Sequence, residues 1–309
     1  MKPYIGASEV AAILGLHRFM SQFELWAKIH ELIPPKAGND QTRRGHIIEP
    51  ALRDWYADFI GLPVTSGPPY ESQPWTRKDA PWQSARPDAF YVNASGKVRL
   101  VEIKTTNSWE HWGEDKSADI PPDYAVQVLW QQWVCGDHLP DLTGTDVLTF
   151  NRFNDEIRLF LIDQTEQSRA TAARLSARVT RWWEKHAIGG TPPEADGSEA
   201  TRDALRALYG RADNGEELSP TTERIRLVEA YKRASANHAA AEADKETARN
   251  QLIAAIGEAS GIRNLCTYRT TKPRQSFDLD KFRKEHPDLA ANYTTTGEPT
   301  RILKLTKER

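Results

Sequence analysis

Two carboxylates and a lysine carry the clearest chemistry in this chain. Asp88 stands in Arg86-Pro87-Asp88-Ala89-Phe90, and 13 residues separate it from Glu102 in Leu100-Val101-Glu102-Ile103-Lys104. A strand alternates its side chains, so Glu102 and Lys104 project from one face while Ile103 points into the core. At the start of a neighbouring strand, Asp88 sits beside Glu102. Two carboxylates and a backbone carbonyl are the hard oxygen ligands that Mg²⁺ prefers, and a bound divalent ion activates water and stabilises charge on a phosphodiester. The adjacent lysine would orient that water, or act as base if its pKa is lowered.

The chain holds a second E-x-K, Glu114-Asp115-Lys116. It is polar on both sides, has no apolar strand beneath it, and reads as a solvated loop. Other site chemistries find little support. Cys135 and Cys266 are the only two cysteines, with no C-x-x-C, which excludes a disulfide framework, a zinc ribbon and a four-cysteine iron–sulfur cluster. The eight histidines are scattered without H-x-x-x-H spacing, against a zinc site or a Ser–His–Asp hydrolase. No G-x-x-x-x-G-K-[ST] occurs, so ATP hydrolysis is not expected.

The elements that must position these groups follow from periodicity. Ser8 reads as the N-cap of a helix through Val10, Ile13 and Leu14. A second helix runs through Phe23, Leu25, Trp26 and Ile29 and ends before Pro34-Pro35. A third spans Arg43 to Phe59, closed by Gly61. Ala89 to Val92 and Val98 to Lys104 read as strands around the turn Asn93-Ala94-Ser95-Gly96. Asn107 to Pro122 reads as a loop, Tyr124 to Val134 as a helix, Val147 to Phe150 and Ile157 to Ile162 as a hairpin, and Gln164 to His186 as a helix. After Ser219-Pro220, an N-cap followed by proline at the first helical position, a long Ala-, Glu- and Lys-rich helix runs to Gly257. Its thin apolar stripe suits a helical hairpin or a protruding arm. Leu265 to Arg269 and Arg301 to Leu305 are expected to pair as short strands.

Length fits about two domains by the usual prior. Residues 1–190 are expected to form the core, 191–219 a linker, and 220–309 a basic, mainly helical appendix. That appendix carries 17 Lys and Arg against 12 Asp and Glu, whereas the rest carries 24 against 31. An acidic catalytic part and a basic appendix suit a metal enzyme acting on a polyanion. Hydrophobic residues make up 39% and charged ones 27%, which fits neither a disordered tail nor a membrane protein. Glu9 interrupts the apolar N-terminus, and with no cleavage-site pattern after it a secretory signal is not expected. The expected setting is the reduced cytoplasm.

Five stretches together resemble the lambda-exonuclease-like viral recombinase (YqaJ) family of the PD-(D/E)xK nuclease superfamily. They are Ile5-Gly6-Ala7-Ser8-Glu9-Val10, Gly45-His46-Ile47-Ile48-Glu49-Pro50, Arg86-Pro87-Asp88, Glu102-Ile103-Lys104, and Tyr124-Ala125-Val126-Gln127-Val128 continued by Gln131, Trp133 and Gly136. They occur in family order over roughly residues 4–165. The resemblance implies a restriction-endonuclease-like α/β core, a mixed central sheet flanked by helices. It implies that Asp88, Glu102 and the carbonyl of Ile103 bind metal, with Glu49 completing the acidic set, that Lys104 handles the attacking water, and that Ser8 and Gln127 lie near substrate phosphate. Two departures stand out. Arg86 replaces a serine common in the family's Ser-Pro-Asp-Gly, and would supply a bidentate phosphate contact in its place. A basic residue that relatives carry upstream is absent, unless Lys2 substitutes.

The resulting expectation is a Mg²⁺-dependent DNA exonuclease, with Mn²⁺ able to substitute, digesting one strand 5′→3′ from double-stranded ends. Such nucleases serve phage recombination with a single-strand-annealing partner, and the family's trimeric ring is implied as well. The competing expectations are a structure- or sequence-specific endonuclease on the same core, and a non-catalytic DNA-binding scaffold. The intact Glu49, Asp88, Glu102 and Lys104 set weighs against the scaffold.

Overall fold

A computed structural model gives the fold of residues 4–306, apart from 36, 37, 39, 69–71, 212, 298 and 299. Lys2 lies outside the described residues. The chain divides into two compact units, residues 1–210 and 211–309.

The first unit is built on a five-stranded sheet: β1 (Val64–Ser66), β4 (Ala89–Val92), β5 (Val98–Thr106), β6 (Leu142–Asn151) and β7 (Glu156–Asp163), adjacent in that order. Two short strands, β2 (Trp75–Thr76) and β3 (Ser84–Ala85), pair separately. The sheet is mixed, as expected: β5 and β6 run parallel, and every other neighbouring pair is antiparallel. Asn93 shapes the β4–β5 turn through its side-chain oxygen, which accepts from the amides of Ser95 and Lys97 at 2.9 and 3.0 Å. This Asx geometry is what the Asn-Ala-Ser-Gly sequence favours.

Helices cover both faces of the sheet. On one side lies α3 (Asp40–Ile60), whose Leu52 and Tyr56 pack with Val101, Ile103 and Leu148. On the other, α1 (Ala7–Ile13), α2 (Gln22–Ile29), α4 (Pro122–Cys135) and α5 (Glu166–Trp182) share a core with Leu100, Trp130 and Val179. The last turns of α5 widen into a π-helical stretch, Trp183–Ile188. Ile103 therefore faces α3, and Glu102 and Lys104 face the opposite layer, as strand alternation requires.

Two local expectations for this unit change. Gly6, not Ser8, caps α1; Glu9 reaches back so that its Oε2 accepts the Gly6 amide at 2.8 Å. Residues 199–209, expected within a linker, form α6 (Glu199–Tyr209), which buries Ala200, Thr201 and Ala204 and packs on α2 through a 2.8 Å bond from Thr201 Oγ1 to Ser21 Oγ. Its buried residues are small, so the apolar signal in the sequence is weak.

The second unit contains α7 (Thr222–Ile256), a 35-residue helix. Its cap is Thr221 rather than Ser219, accepting from the Arg224 amide. Of its residues only Ile256 is buried. The short strands that form are β8 (Gly261–Ile262) and β9 (Cys266–Thr267), not the expected 265–269 with 301–305. Two short helices follow, α8 (Leu279–Glu285) and α9 (Pro287–Asn292). Among the described residues no helix is long and apolar enough to cross a membrane.

Candidate active site

The β4–β5 hairpin does what its sequence foretold. Ala89 pairs with Val101, which places Asp88 at the mouth of the hairpin beside Glu102 and Ile103. The Ile103 amide donates to Asp88 Oδ2 at 2.7 Å. Backbone packing fixes the motif from behind. The amide of Gly67 donates to the Asp88 carbonyl at 2.9 Å, and a Cβ on Gly67 would fall 1.8 Å from the Pro87 oxygen. Only glycine permits that approach.

Glu102 is the hub. Its side chain is almost wholly buried, 2% exposed. Lys104 Nζ and Gln127 Nε2 both donate to Oε1 at 2.5 Å, and Gln131 Nε2 donates to Oε2 at 2.7 Å. Gln127 and Gln131 lie four apart on α4 and so share one face. Lys104 Nζ also sits 5.0 Å from the centre of the Tyr124 ring. Glu49 comes from α3, immediately before Pro50, with His46 Nδ1 3.8 Å from its Oε2.

The electrostatics of this cluster are lopsided. Burial, then the neighbouring Glu102 charge, holds the Asp88 carboxyl well above the usual carboxylate range, against the pull of Lys104 and the Ile103 amide. Glu49 is raised in the same way, by burial and by Glu102, although His46 opposes. Burial works against the Lys104 ammonium, but Glu102 and Asp88 outweigh it, and its pKa rises. A raised pKa favours the first of the two roles its position allowed, a charged group that orients water.

All eight expected site residues line one cleft of about 600 Å³: Ser8, Glu49, Arg86, Asp88, Glu102, Ile103, Lys104 and Gln127. Ser8 is exposed at its edge in the first turn of α1. Arg86 lines the cleft, yet its Nη1 donates to the Pro68 carbonyl at 2.8 Å and its Nη2 to the Ser72 carbonyl at 2.7 Å. Its guanidinium thus holds Pro68 and Ser72. The second E-x-K lies elsewhere, in a loop fastened to β7: Asp115 Oδ1 accepts the Leu159 amide at 2.8 Å.

His46, Tyr124 and Gln131 are site residues that the sequence reading did not assign. The spacing of Gln131 from Gln127 was the available signal.

Among the described residues no three carboxylate, imidazole or thiol groups stand gathered around one point. The donor set nonetheless suits a hard divalent cation. Three carboxylates line one cleft with one lysine, and the upward shifts of Asp88 and Glu49 are the penalty that such a cation relieves.

Residues 2–144 match the YqaJ-like viral recombinase domain family. A curated relative, the uncharacterised protein YqaJ of Bacillus subtilis (strain 168), is 21% identical over 234 residues, covering 74% of this chain and 67% of its own. Among solved structures, an alkaline exonuclease (LHK-Exo) from Laribacter hongkongensis is similar at a TM-score of 0.43 and 19% identity, over 61% of this chain and 92% of that one. A phage-related exonuclease from Haemophilus somnus 129PT is similar at a TM-score of 0.39 and 10% identity, over 62% of this chain and 98% of its own.

Proposed function

We propose that this chain, whose residues 2–144 match the YqaJ-like viral recombinase domain, is a divalent-metal-dependent deoxyribonuclease that digests one strand 5′→3′ from a duplex end. The observation that supports this reading most is the hairpin: Asp88, Glu102 and Lys104 meet at the open end of β4 and β5, with Glu49 across the same cleft. Asp88, Glu102, the Ile103 carbonyl and Glu49 would hold Mg²⁺, which supplies Lewis-acid charge at the phosphoryl group and lowers the pKa of water.

The chain's own residues do the positioning. Lys104 remains protonated, orients the attacking water and offsets charge that builds on the phosphoryl oxygens. Gln127 and Gln131 hold the Glu102 carboxylate in one orientation, and Gln127 also faces the cleft where a phosphate would lie. Ser8 offers a hydroxyl to the phosphate from the rim. Hydrolysis joins the water oxygen to phosphorus, breaks the bond to the leaving ribose oxygen, and leaves the water's protons with the product and solvent. A partner that anneals the exposed strand would place this activity in phage-type recombination.

The test is digestion of end-labelled linear duplex with Mg²⁺ beside a closed circular duplex of the same sequence. Mononucleotide release from the linear form with the circle intact is the expected result, and EDTA should abolish it. Cutting of the circle would make the enzyme an endonuclease. No cutting of either would leave the scaffold reading.

A further inference from the structure

The β6–β7 hairpin tip projects from the same end of the sheet as the cleft. Thr105 lines the cleft, and Thr106 beside it pairs with Asn151, the last residue of β6. The next amide, Arg152, donates to the Thr106 carbonyl at 2.9 Å. At about 3.3 Å per residue, Thr106 lies roughly 7 Å beyond Lys104 along β5.

Two side chains at this tip are unexplained by folding. Phe153 is 87% exposed and so forgoes the stabilisation that burying a phenyl ring brings. Its backbone is held, because its amide donates to the buried Asn151 Oδ1 at 2.9 Å. Arg152 is half-buried, and its Nε is enclosed with no hydrogen-bond partner. A guanidinium is normally satisfied when buried. No ion pair joins Arg152 to either carboxylate of its hairpin: Glu156 is already bonded to Arg158, Trp109 and Asn154 at 2.8, 2.7 and 3.0 Å, and Asp155 occupies the left-handed turn position at φ 56°.

We propose that Arg152 and Phe153 form a nucleic-acid subsite beside the catalytic cleft, the guanidinium pairing with a backbone phosphate and the phenyl ring stacking on a base of the strand being digested. This inference rests on the nuclease reading of the cleft. The two groups suit the two surfaces of a single nucleotide: a cation for the phosphate and a flat apolar face for the base, which every base can use. The rigid turn means that neither contact requires the tip to be ordered on binding.

The experiment uses the full chain in EDTA, with binding to a fluorescein-labelled duplex carrying a single-stranded end measured against KCl concentration. R152A should lower the salt slope by about one, and R152K should retain it. F153A should weaken binding about tenfold, and F153W should restore it. Replacing one base of the strand at a time by an abasic site gives the sharper measurement: one position should weaken the wild-type chain and leave F153A unaffected. If the wild-type chain binds and cuts DNA while R152A and F153A keep its affinity, slope and abasic profile, the subsite is wrong and the nuclease reading stands. A wild-type chain that neither binds nor cuts DNA overturns both.

Discussion

Tyr56 donates its hydroxyl to Asp146 Oδ2 at 2.6 Å and so bolts the helix that carries Glu49 to the middle of the sheet. Tyr91 donates to the same oxygen at 2.8 Å, and Arg99 Nε to the other at 2.7 Å. Asp146 is buried, and the three donors satisfy its two oxygens. Tyr56 lies seven residues beyond Glu49 on α3, two turns along the same face. The network is thus part of what sets where Glu49 meets the cleft.

This network should give the protein an alkaline limit. Burial, then the Asp146 charge, pushes the Tyr91 hydroxyl up to about 12 and raises Tyr56 too. Both phenols are held protonated more firmly in the folded than in the unfolded chain, where the pKa is about 10. Their stabilisation is complete below that value and is lost as pH rises through the folded pKa. Urea unfolding between pH 9 and 12 should show falling stability with a shallower slope in Tyr91→Phe. Tyr56→Phe should cost about 2 kcal/mol at neutral pH.

The two E-x-K motifs should separate cleanly in activity. Glu102→Gln and Lys104→Ala should each lower the rate of duplex digestion by 100-fold or more, since each removes charge placed for the transition state. Glu114→Ala and Lys116→Ala should stay within about threefold of the parent, because neither side chain lines the cleft. Initial rates on linear duplex decide it. An essential Glu114 with a dispensable Glu102 would refute the site.

Asp88→Asn should abolish digestion yet make the metal-free protein more heat-stable. The Asp88 carboxyl is raised by burial and by Glu102. A raised carboxyl stabilises the fold only while protonated and opposes it once pH has risen through its folded pKa. Removing that charge should raise the melting temperature in EDTA by about 3 °C, the shift that roughly 1 kcal/mol brings at this size. The wild-type chain should gain further stability on adding Mg²⁺. The variant should not, and thermal denaturation with and without Mg²⁺ measures both.

Arg86→Ala should slow digestion of 5′-phosphorylated and 5′-hydroxyl ends equally. Its guanidinium holds the Pro68 and Ser72 carbonyls, so its loss should loosen the segment flanking the cleft whatever the end carries. Slowing confined to phosphorylated ends would assign it the phosphate contact that the sequence suggested.

A chain ending after Asn214 should keep Mg²⁺-dependent hydrolysis, because every cleft residue lies in the first unit. Its binding should show a flatter salt dependence if the 17 basic residues of 220–309 meet DNA. Anisotropy titrations at several KCl concentrations give the slope.

What the sequence made legible is what local rules govern. The β4–β5 hairpin was readable because apolar residues flank an Asn-Ala-Ser-Gly turn, and once Ala89 faces Val101 the placement of Asp88 and Glu102 follows. Helix α4 showed its glutamines at a four-residue spacing. Long-range partners were not readable. Nothing near Asp146 in the chain announces Tyr56 or Arg99, and β6 begins five residues before its apolar run because parallel pairing with β5 extends it. Gly6 gave no cap signal, since the usual Ser or Thr of a capping box is missing and only Glu9 remains. Arg86 lines the cleft as its place in the motif suggested, but its bonds to the Pro68 and Ser72 carbonyls, 18 and 14 residues away, leave no mark in sequence.

The close approach of Gly67 to Pro87 also divides the hairpin's surroundings for protein engineering. Gly67 behaves as foundation: lengthening the chain there would displace the Asp88 carbonyl that its amide holds. The opposite end of the same hairpin is free of that duty. Ala94, Ser95 and Gly96 are exposed, and the turn lies four paired residues from the motif. A fluorophore or an inserted tag belongs there, where the backbone can take up added length without disturbing the carboxylates.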